Sequence, residues 1–191
     1  MLIPALSAGN RTPMLTIERS RSALLLIDFQ SRLMPAIADG PAVVGNAQRL
    51  LDAAQLLEIP VLLTEQNAKG LGATLPELLD PGGEIVFHKT SFDACRMPGF
   101  LDRLPDRPDL VVAGCETHVC VLQTALGLIG AGRRVFLVRD AVGSRRTESK
   151  ETAIRRLEQH GAEIVTTEMV MFEWLESSEH PRFREALALV R

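Results

Sequence analysis

The chain has 191 residues, of which 46% are hydrophobic and 24% charged, and its formal net charge is −3 at pH 7. This size and balance are typical of one α/β domain with a large core. The sequence has no basic stripe that would indicate a nucleic-acid partner, and no apolar run long enough to cross a membrane. The cysteines, Cys95, Cys115 and Cys120, lack the paired spacing of a zinc site or a disulfide framework. We therefore expect a reducing, cytoplasmic location.

The N-terminal segment differs in character from the rest of the chain. Residues 1–6 are apolar but lack the basic region and the long apolar core of a signal peptide. We expect residues 1–13 to form a loose N-terminal extension and residues 14–191 to form a single domain.

Short apolar runs alternate with longer segments of helical spacing along the chain. The apolar runs predict strands at 22–27, 59–64, 84–87, 109–113, 134–138 and 162–166. The helical spacing predicts helices at 41–58, 98–104, 118–129 and 147–160, with short helices at 169–174 and 183–190. Residues 65–83, rich in glycine and proline, predict a long loop with one helical turn at 75–79. The alternation predicts a three-layer αβα sandwich around a central, mostly parallel six-stranded sheet.

Three chemically reactive residues follow predicted strands. Asp28 follows the first strand, Lys89 the third and Cys120 the fourth. Taken singly, each has an ordinary interpretation, because such residues are often turn, solvated or small buried residues. In a parallel α/β sheet, however, ligands bind beyond the carboxyl ends of the strands, near the point where the strand order reverses. The convergence of the three at that edge favours a reactive site.

Cys120 lies close to the predicted start of a helix. The predicted strand ends at Gly114, and Thr117 is a good N-cap for the helix that follows. Cys120 then occupies the third helical position, where unpaired N–H groups and the helix dipole lower the pKa of a thiol. The pattern therefore suits a nucleophile better than a structural cysteine.

Other kinds of site find little support in the sequence. No glycine-rich phosphate loop or dinucleotide-binding motif is present, and no Gly-x-Ser-x-Gly elbow occurs, so we expect no cofactor. The histidines share no metal-binding spacing; they are His88, His118, His160 and His180.

Three separated motifs together make the family recognisable. The strand that ends in Asp28-Phe29-Gln30, the loop with Lys89 and the segment 114–120 resemble the isochorismatase-like cysteine hydrolase superfamily. Segments 64–67 and 167–174 are most similar to its isochorismatase domain-containing branch. The resemblance covers nearly the whole chain from about residue 14 onward.

The resemblance implies a catalytic triad of Asp28, Lys89 and Cys120. It also implies a cis peptide bond between Cys115 and Glu116, which aims the backbone N–H groups of Glu116 and Cys120 at one point as an oxyanion hole. In this scheme Asp28 is the base, Lys89 gives electrostatic support, and Cys120 forms a thioester during cleavage of an amide-type C–N bond.

Two departures from better-known members narrow the expected chemistry. Nicotinamidases of the superfamily hold a metal with an Asp-x-His pattern after the second strand, where this chain has Glu65-Gln66-Asn67. No metal is therefore expected. Isochorismatases proper cleave an enol ether and lack a cysteine at the nucleophile position, so Cys120 indicates C–N hydrolysis instead.

The substrate is expected to be a small molecule, and the protein is expected to be a homo-oligomer, as is common in the superfamily. Candidate substrate-binding residues are Phe29, Gln30, Gln66, Phe92, His118 and Trp174. Trp174 could equally be a core or subunit-interface residue. Two further hypotheses stay open: isochorismatase-like ether hydrolysis, and a non-catalytic binding or redox-responsive thiol protein on the same fold.

Overall fold

The computed structural model describes residues 15–79 and 85–190, whose strands form a single, wholly parallel sheet. The strands are β1 (Ser22–Ile27), β2 (Val61–Gln66), β3 (Ile85–Lys89), β4 (Asp109–Cys115), β5 (Arg134–Gly143) and β6 (Glu163–Val165). Their order across the sheet is β3-β2-β1-β4-β5-β6. This confirms the predicted α/β sandwich with six strands. The predicted extension at 1–13 and the predicted strand residue Glu84 lie outside the described residues.

Helices cover both faces of the sheet. The helices are α1 (Gly40–Leu56), α2 (Ala68–Leu71), α3 (Phe100–Arg103), α4 (Leu122–Gly130), α5 (Thr147–Gln159), α6 (Thr167–Leu175) and α7 (Phe183–Leu189). Helices α1, α6 and α7 pack on one face, and α3, α4 and α5 pack on the other. Successive residues of β1 alternate between the two hydrophobic clusters, as a strand buried on both faces requires. None of the helices in the described ranges is both long and apolar enough to cross a lipid bilayer.

Several strands continue beyond their predicted ends. β2 runs to Gln66 because Glu65 and Gln66 pair in register with His88 and Lys89 of β3. Lys89 is therefore the last residue of a strand and not part of a loop. β4 likewise continues through Gly114 to Cys115, where it pairs with the end of β5. An apolar pattern does not identify these strand ends, because Glu65, Gln66 and Lys89 are polar although they are buried and pair in register.

The predicted N-cap at Thr117 is wrong. Residues Thr117–Val121 form a π-helical turn, and α4 begins only at Leu122. The Thr117 hydroxyl donates to the carbonyl oxygen of Gly143 at 2.9 Å and therefore does not cap the helix. Cys120 is consequently the fourth of the five residues of the π turn, and the turn leads directly into α4.

The chain reverses its direction of winding between β1 and β4. These neighbouring strands lead to helices on opposite faces of the sheet, α1 and α4. Gly114 pairs with Ile27 at the carboxyl end of this strand pair, and its φ angle is +153°. A Cβ atom at position 114 would lie 2.5 Å from the carbonyl oxygen of Ile27. The two backbones therefore approach most closely where a ligand is expected in this class of sheet.

We expect Gly114→Ala to lower the free energy of unfolding by about 3 kcal/mol, because the added methyl overlaps backbone atoms that cannot rotate away. Chemical denaturation followed by circular dichroism measures this change. Gly130→Ala is the matched control, because a Cβ atom there would meet nothing within 4 Å. Wild-type stability in Gly114→Ala would contradict the close approach.

Candidate active site

Asp28, Lys89 and Cys120 meet at the carboxyl edge of the sheet. The Lys89 ammonium donates to Oδ2 of Asp28 at 2.7 Å. The Cys120 thiol lies beside both groups, and each of them acts on its pKa. Asp28 is 1% exposed, Lys89 2% and Cys120 6%. The structure thus places a thiol, a carboxylate and an ammonium in one buried cluster.

Two residues of β2 hold this cluster in place. The Thr64 hydroxyl donates to Oδ1 of Asp28 at 2.7 Å. Oε1 of Gln66 accepts from the Lys89 ammonium at 2.9 Å, and its Nε2 donates to the carbonyl oxygen of Thr90 at 2.8 Å. Residues two apart on a strand share a face, so β2 presents both side chains to the same cluster. Both carboxylate oxygens of Asp28 therefore accept a hydrogen bond from a fixed donor.

Thr64 is not among the candidate site residues that the sequence predicts. It ends a predicted strand of otherwise apolar residues and looks like an ordinary β-branched strand residue. Its spacing of two from Gln66 is the signal that could have identified it, once β2 is known to continue past residue 64.

The pKa of the Cys120 thiol is raised to about 12. Burial is the largest cause, and the negative charge of Asp28 adds to it, whereas Lys89 opposes it. The sequence-based expectation of a lowered pKa is therefore wrong for the resting site. That expectation considered only the start of the helix, whereas the desolvation of the thiol and the neighbouring carboxylate both raise its pKa. The thiol is protonated near neutral pH and lies beside a group that can accept its proton.

Gln30 is joined to the cluster through Gln66, whereas Phe92 is exposed. The Gln30 amide donates to the carbonyl oxygens of Gln66 at 3.1 Å and Gly72 at 2.6 Å, and its Oε1 accepts from the Gln66 N–H at 2.9 Å. Gln30 therefore joins the end of β1 to the loop after β2. Phe92 is 51% exposed, three residues beyond Lys89.

Phe29 and Trp174 lie in the hydrophobic core on the α1 face, and the structure does not bring them to the cluster. Trp174 is fully buried on α6, and the carboxylate of the neighbouring Glu173 accepts from the Ile17 N–H, before the start of β1. Trp174 thus lies toward the edge of the sheet opposite Asp28. Its assignment to the substrate pocket is corrected: it is a core residue.

Glu116 and His118 lie in a second polar cluster beside the π turn. The buried Glu116 carboxylate contacts Nε of Arg145 at 2.5 Å and Nε2 of His118 at 3.6 Å. Nδ1 of His118 lies 3.0 Å from the Ser144 hydroxyl. The Cys115–Glu116 peptide bond is cis. His118 is therefore engaged by Glu116 and Ser144 at the side of the site.

The segment that replaces the nicotinamidase metal motif is used for hydrogen bonding. Oε1 of Glu65 accepts from the Thr74 N–H at 2.7 Å and from its hydroxyl at 2.8 Å. Oε2 of Glu65 lies 3.2 Å from Nδ1 of His88. Across the two described ranges, no group of three or more His, Cys, Asp or Glu side chains is arranged to hold a metal ion.

Comparison with known proteins gives a consistent family relationship. The family model described as the isochorismatase domain matches residues 22–169. Isochorismatase domain-containing protein 2 of Xenopus laevis is 38% identical over 177 residues, which cover 91% of this chain and 84% of that protein. Isochorismatase domain-containing protein 1 of Danio rerio is 37% identical over 185 residues, which cover 96% of this chain. The match spans only 63% of the Danio rerio protein.

Solved structures agree with the observed fold. A Caenorhabditis elegans protein named as MAR1 ribonuclease superimposes with a TM-score of 0.86 at 36% identity, covering 92% of each chain. The YcaC gene product of Escherichia coli, described as an octameric hydrolase of unknown specificity, superimposes with a TM-score of 0.84 at 26% identity. That match covers 94% of this chain and 89% of the other.

We expect alkylation of Cys120 to quicken about tenfold per pH unit from about pH 7 to about pH 10, because the reactive thiolate is the minor form throughout. In Asp28→Asn we expect faster alkylation at each pH, since the carboxylate that raises the pKa is gone. Peptide mass spectrometry measures both. Cys95 and Cys115, whose pKa values burial also raises to about 12, are internal controls. A rate plateau below about pH 8 would contradict the raised pKa.

Proposed function

This chain belongs to the isochorismatase family of hydrolases, and from that premise we propose that it cleaves an amide-type C–N bond of a small molecule through a thioester on Cys120. The observation that carries the proposal is the buried Asp28–Lys89 ion pair with the buried Cys120 thiol beside it. A thiol, a base and a positive charge in contact are the components of nucleophilic acyl transfer.

Asp28 is the proposed proton acceptor. The resting thiol is protonated, so it becomes a nucleophile only when its proton moves to Asp28 as the sulfur attacks the carbonyl carbon. The donors from Thr64 and Lys89 fix the orientation of the Asp28 side chain for this proton transfer. Lys89 then keeps a positive charge beside the sulfur while negative charge develops on the substrate.

The proposed tetrahedral intermediate places its oxygen anion against the backbone N–H groups of Glu116 and Cys120. Both residues lie where the first N–H groups of a helical segment lack intrahelical acceptors. Loss of one such donor typically reduces the rate by about 10²–10³. As the intermediate collapses, the C–N bond breaks and Asp28 returns its proton to the leaving nitrogen.

Hydrolysis of the thioester completes the cycle. Asp28 accepts a proton from a water molecule whose oxygen attacks the thioester carbonyl. The C–S bond then breaks, and the Cys120 sulfur recovers a proton from Asp28. The acid is released and the resting site is restored. Gln66 contributes by fixing the ammonium of Lys89.

A second candidate is hydrolysis of RNA, which is favoured by the ribonuclease names of the Caenorhabditis elegans relative and of two Leishmania proteins. Ether hydrolysis at the same cluster and a non-catalytic role for the Cys120 thiol are weaker hypotheses, because no described contact favours either one. The predicted homo-oligomer is supported by the description of the Escherichia coli structure as an octamer.

We expect Cys120→Ala and Asp28→Asn each to abolish turnover across a panel of small amides, because one removes the nucleophile and the other the base. Liquid chromatography of the products measures turnover, and intact-protein mass spectrometry detects the acyl group on wild-type Cys120. Cys95→Ala is the matched control, since that half-buried thiol contacts the carbonyl oxygen of Thr124 outside the cluster.

Ether and RNA substrates belong in the same panel. Retained amide cleavage in purified Cys120→Ala would refute the thioester route. Cleavage of RNA that disappears in Cys120→Ala, with no amide turned over by the wild type, would establish the second candidate in its place.

We expect Thr64→Val to lower kcat by about tenfold or more with KM little changed, because Asp28 loses one charge-assisted hydrogen bond while the side chain keeps its shape. Thr64→Ser restores the donor and should recover most of the activity. Thr152→Val, an exposed threonine on α5, is the control. Equal kinetics for Thr64→Val and the wild type would exclude a positioning role for Thr64.

A further inference from the structure

A polar cavity lies at the amino-terminal edge of the sheet, at the end opposite the Cys120 cluster. Its volume is about 440 Å³. It is formed where the turn before β1, the end of α1, the loop before β4 and the turn before α7 meet. Its polar lining consists of Arg19, Ser20, Glu58, Arg107, His180 and Arg182.

The cavity is remote from the proposed active site. Arg19 and Ser20 directly precede β1, whereas Asp28 directly follows it. β1 has six residues, so at a rise of about 3.3 Å per residue the two sites are about 20 Å apart. The cavity therefore belongs to neither the cysteine cluster nor its substrate pocket.

The lining of the cavity carries more positive than negative charge. Three guanidinium groups face a single carboxylate in the lining, that of Glu58. Arg182 is paired with Glu185 of α7 at 3.1 Å. In the part of the chain that the structure describes, no ion pair joins Arg19 or Arg107 to a carboxylate.

His180 does not correct this imbalance. Nη1 of Arg19 lies 2.6 Å from Nε2 of His180, and the Arg182 N–H donates to Nδ1 of the same ring at 3.1 Å. A neutral imidazole has only one acceptor nitrogen, and a protonated one has none. The ring therefore satisfies at most one of these two donors, and the cluster has an excess of hydrogen-bond donors as well as of positive charge.

We propose that this cavity binds the phosphate group of a small phosphorylated molecule, held by Arg19 and Arg107. Arginine presents paired N–H donors that match phosphate oxygens in geometry and charge. The cavity exceeds the space that a phosphate ion fills and lies in the size range of small-molecule sites, so an organic substituent fits beside the phosphate. The site would bind a ligand independently of the proposed hydrolysis.

Isothermal titration calorimetry of the full chain tests the proposal, with inorganic phosphate and phenyl phosphate as probes and chloride at matched ionic strength as the reference. We expect saturable binding of phosphate and no saturable binding of chloride. Arg19→Gln and Arg107→Gln should each weaken the affinity by about tenfold, because each removes a charge-assisted contact. Arg155→Gln, an exposed arginine on α5, should leave it unchanged.

The two probes distinguish the source of the phosphate. Tighter binding of phenyl phosphate identifies a phosphomonoester, whereas equal binding identifies the free ion; both support the site. Circular dichroism of each variant checks that it is folded. If Arg19→Gln unfolds, Arg107→Gln still tests the site, because Arg107 is exposed and its replacement should leave the fold intact. Absence of saturable phosphate binding, or wild-type affinity in both variants, would overturn the proposal. Tighter, arginine-dependent binding of a short RNA would also overturn the small-molecule assignment.

Discussion

The buried ion pair between Asp28 and Lys89 is the constraint on which the rest of the site depends. Removing two charges from water costs several kcal/mol for each ion, so such a pair persists only where further hydrogen bonds satisfy both partners. Thr64 and Gln66 provide them. Asp28 directly follows β1, Thr64 and Gln66 lie near the end of β2, and Lys89 ends β3. The pair therefore requires the order and register of three adjacent strands to be maintained together.

The sequence was sufficient to predict where the reactive residues meet but not how their protons are held. Asp28, Lys89 and Cys120 each follow or end a strand of the parallel sheet, and parallel topology alone brings such positions to one edge. The role of Thr64 and the raised pKa of Cys120 depend instead on contacts between strands and on the depth of burial. Local sequence spacing shows neither the contacts between strands nor the depth of burial. The argument from the helix start therefore predicted the wrong direction for the pKa shift of Cys120.

The aromatic residues show a second limit of sequence-based prediction. Phe29, Phe92 and Trp174 were all candidate pocket residues, yet one is half exposed and two are in the core. A sheet that is covered on both faces has no polar side, so hydrophobicity alone does not distinguish a core position from a pocket wall. The end of β1 illustrates this, since Phe29 is buried on the α1 face directly after the reactive Asp28.

The raised pKa of Cys120 has a consequence for the durability of the protein. Peroxides oxidise thiolates, not thiols, and oxidation beyond the sulfenic acid is irreversible in most proteins. A site that keeps its sulfur protonated at rest thus protects it from oxidation. The burial that makes Cys120 a poor nucleophile at rest also makes it a poor redox sensor, which weighs against a peroxide-responsive role for this residue.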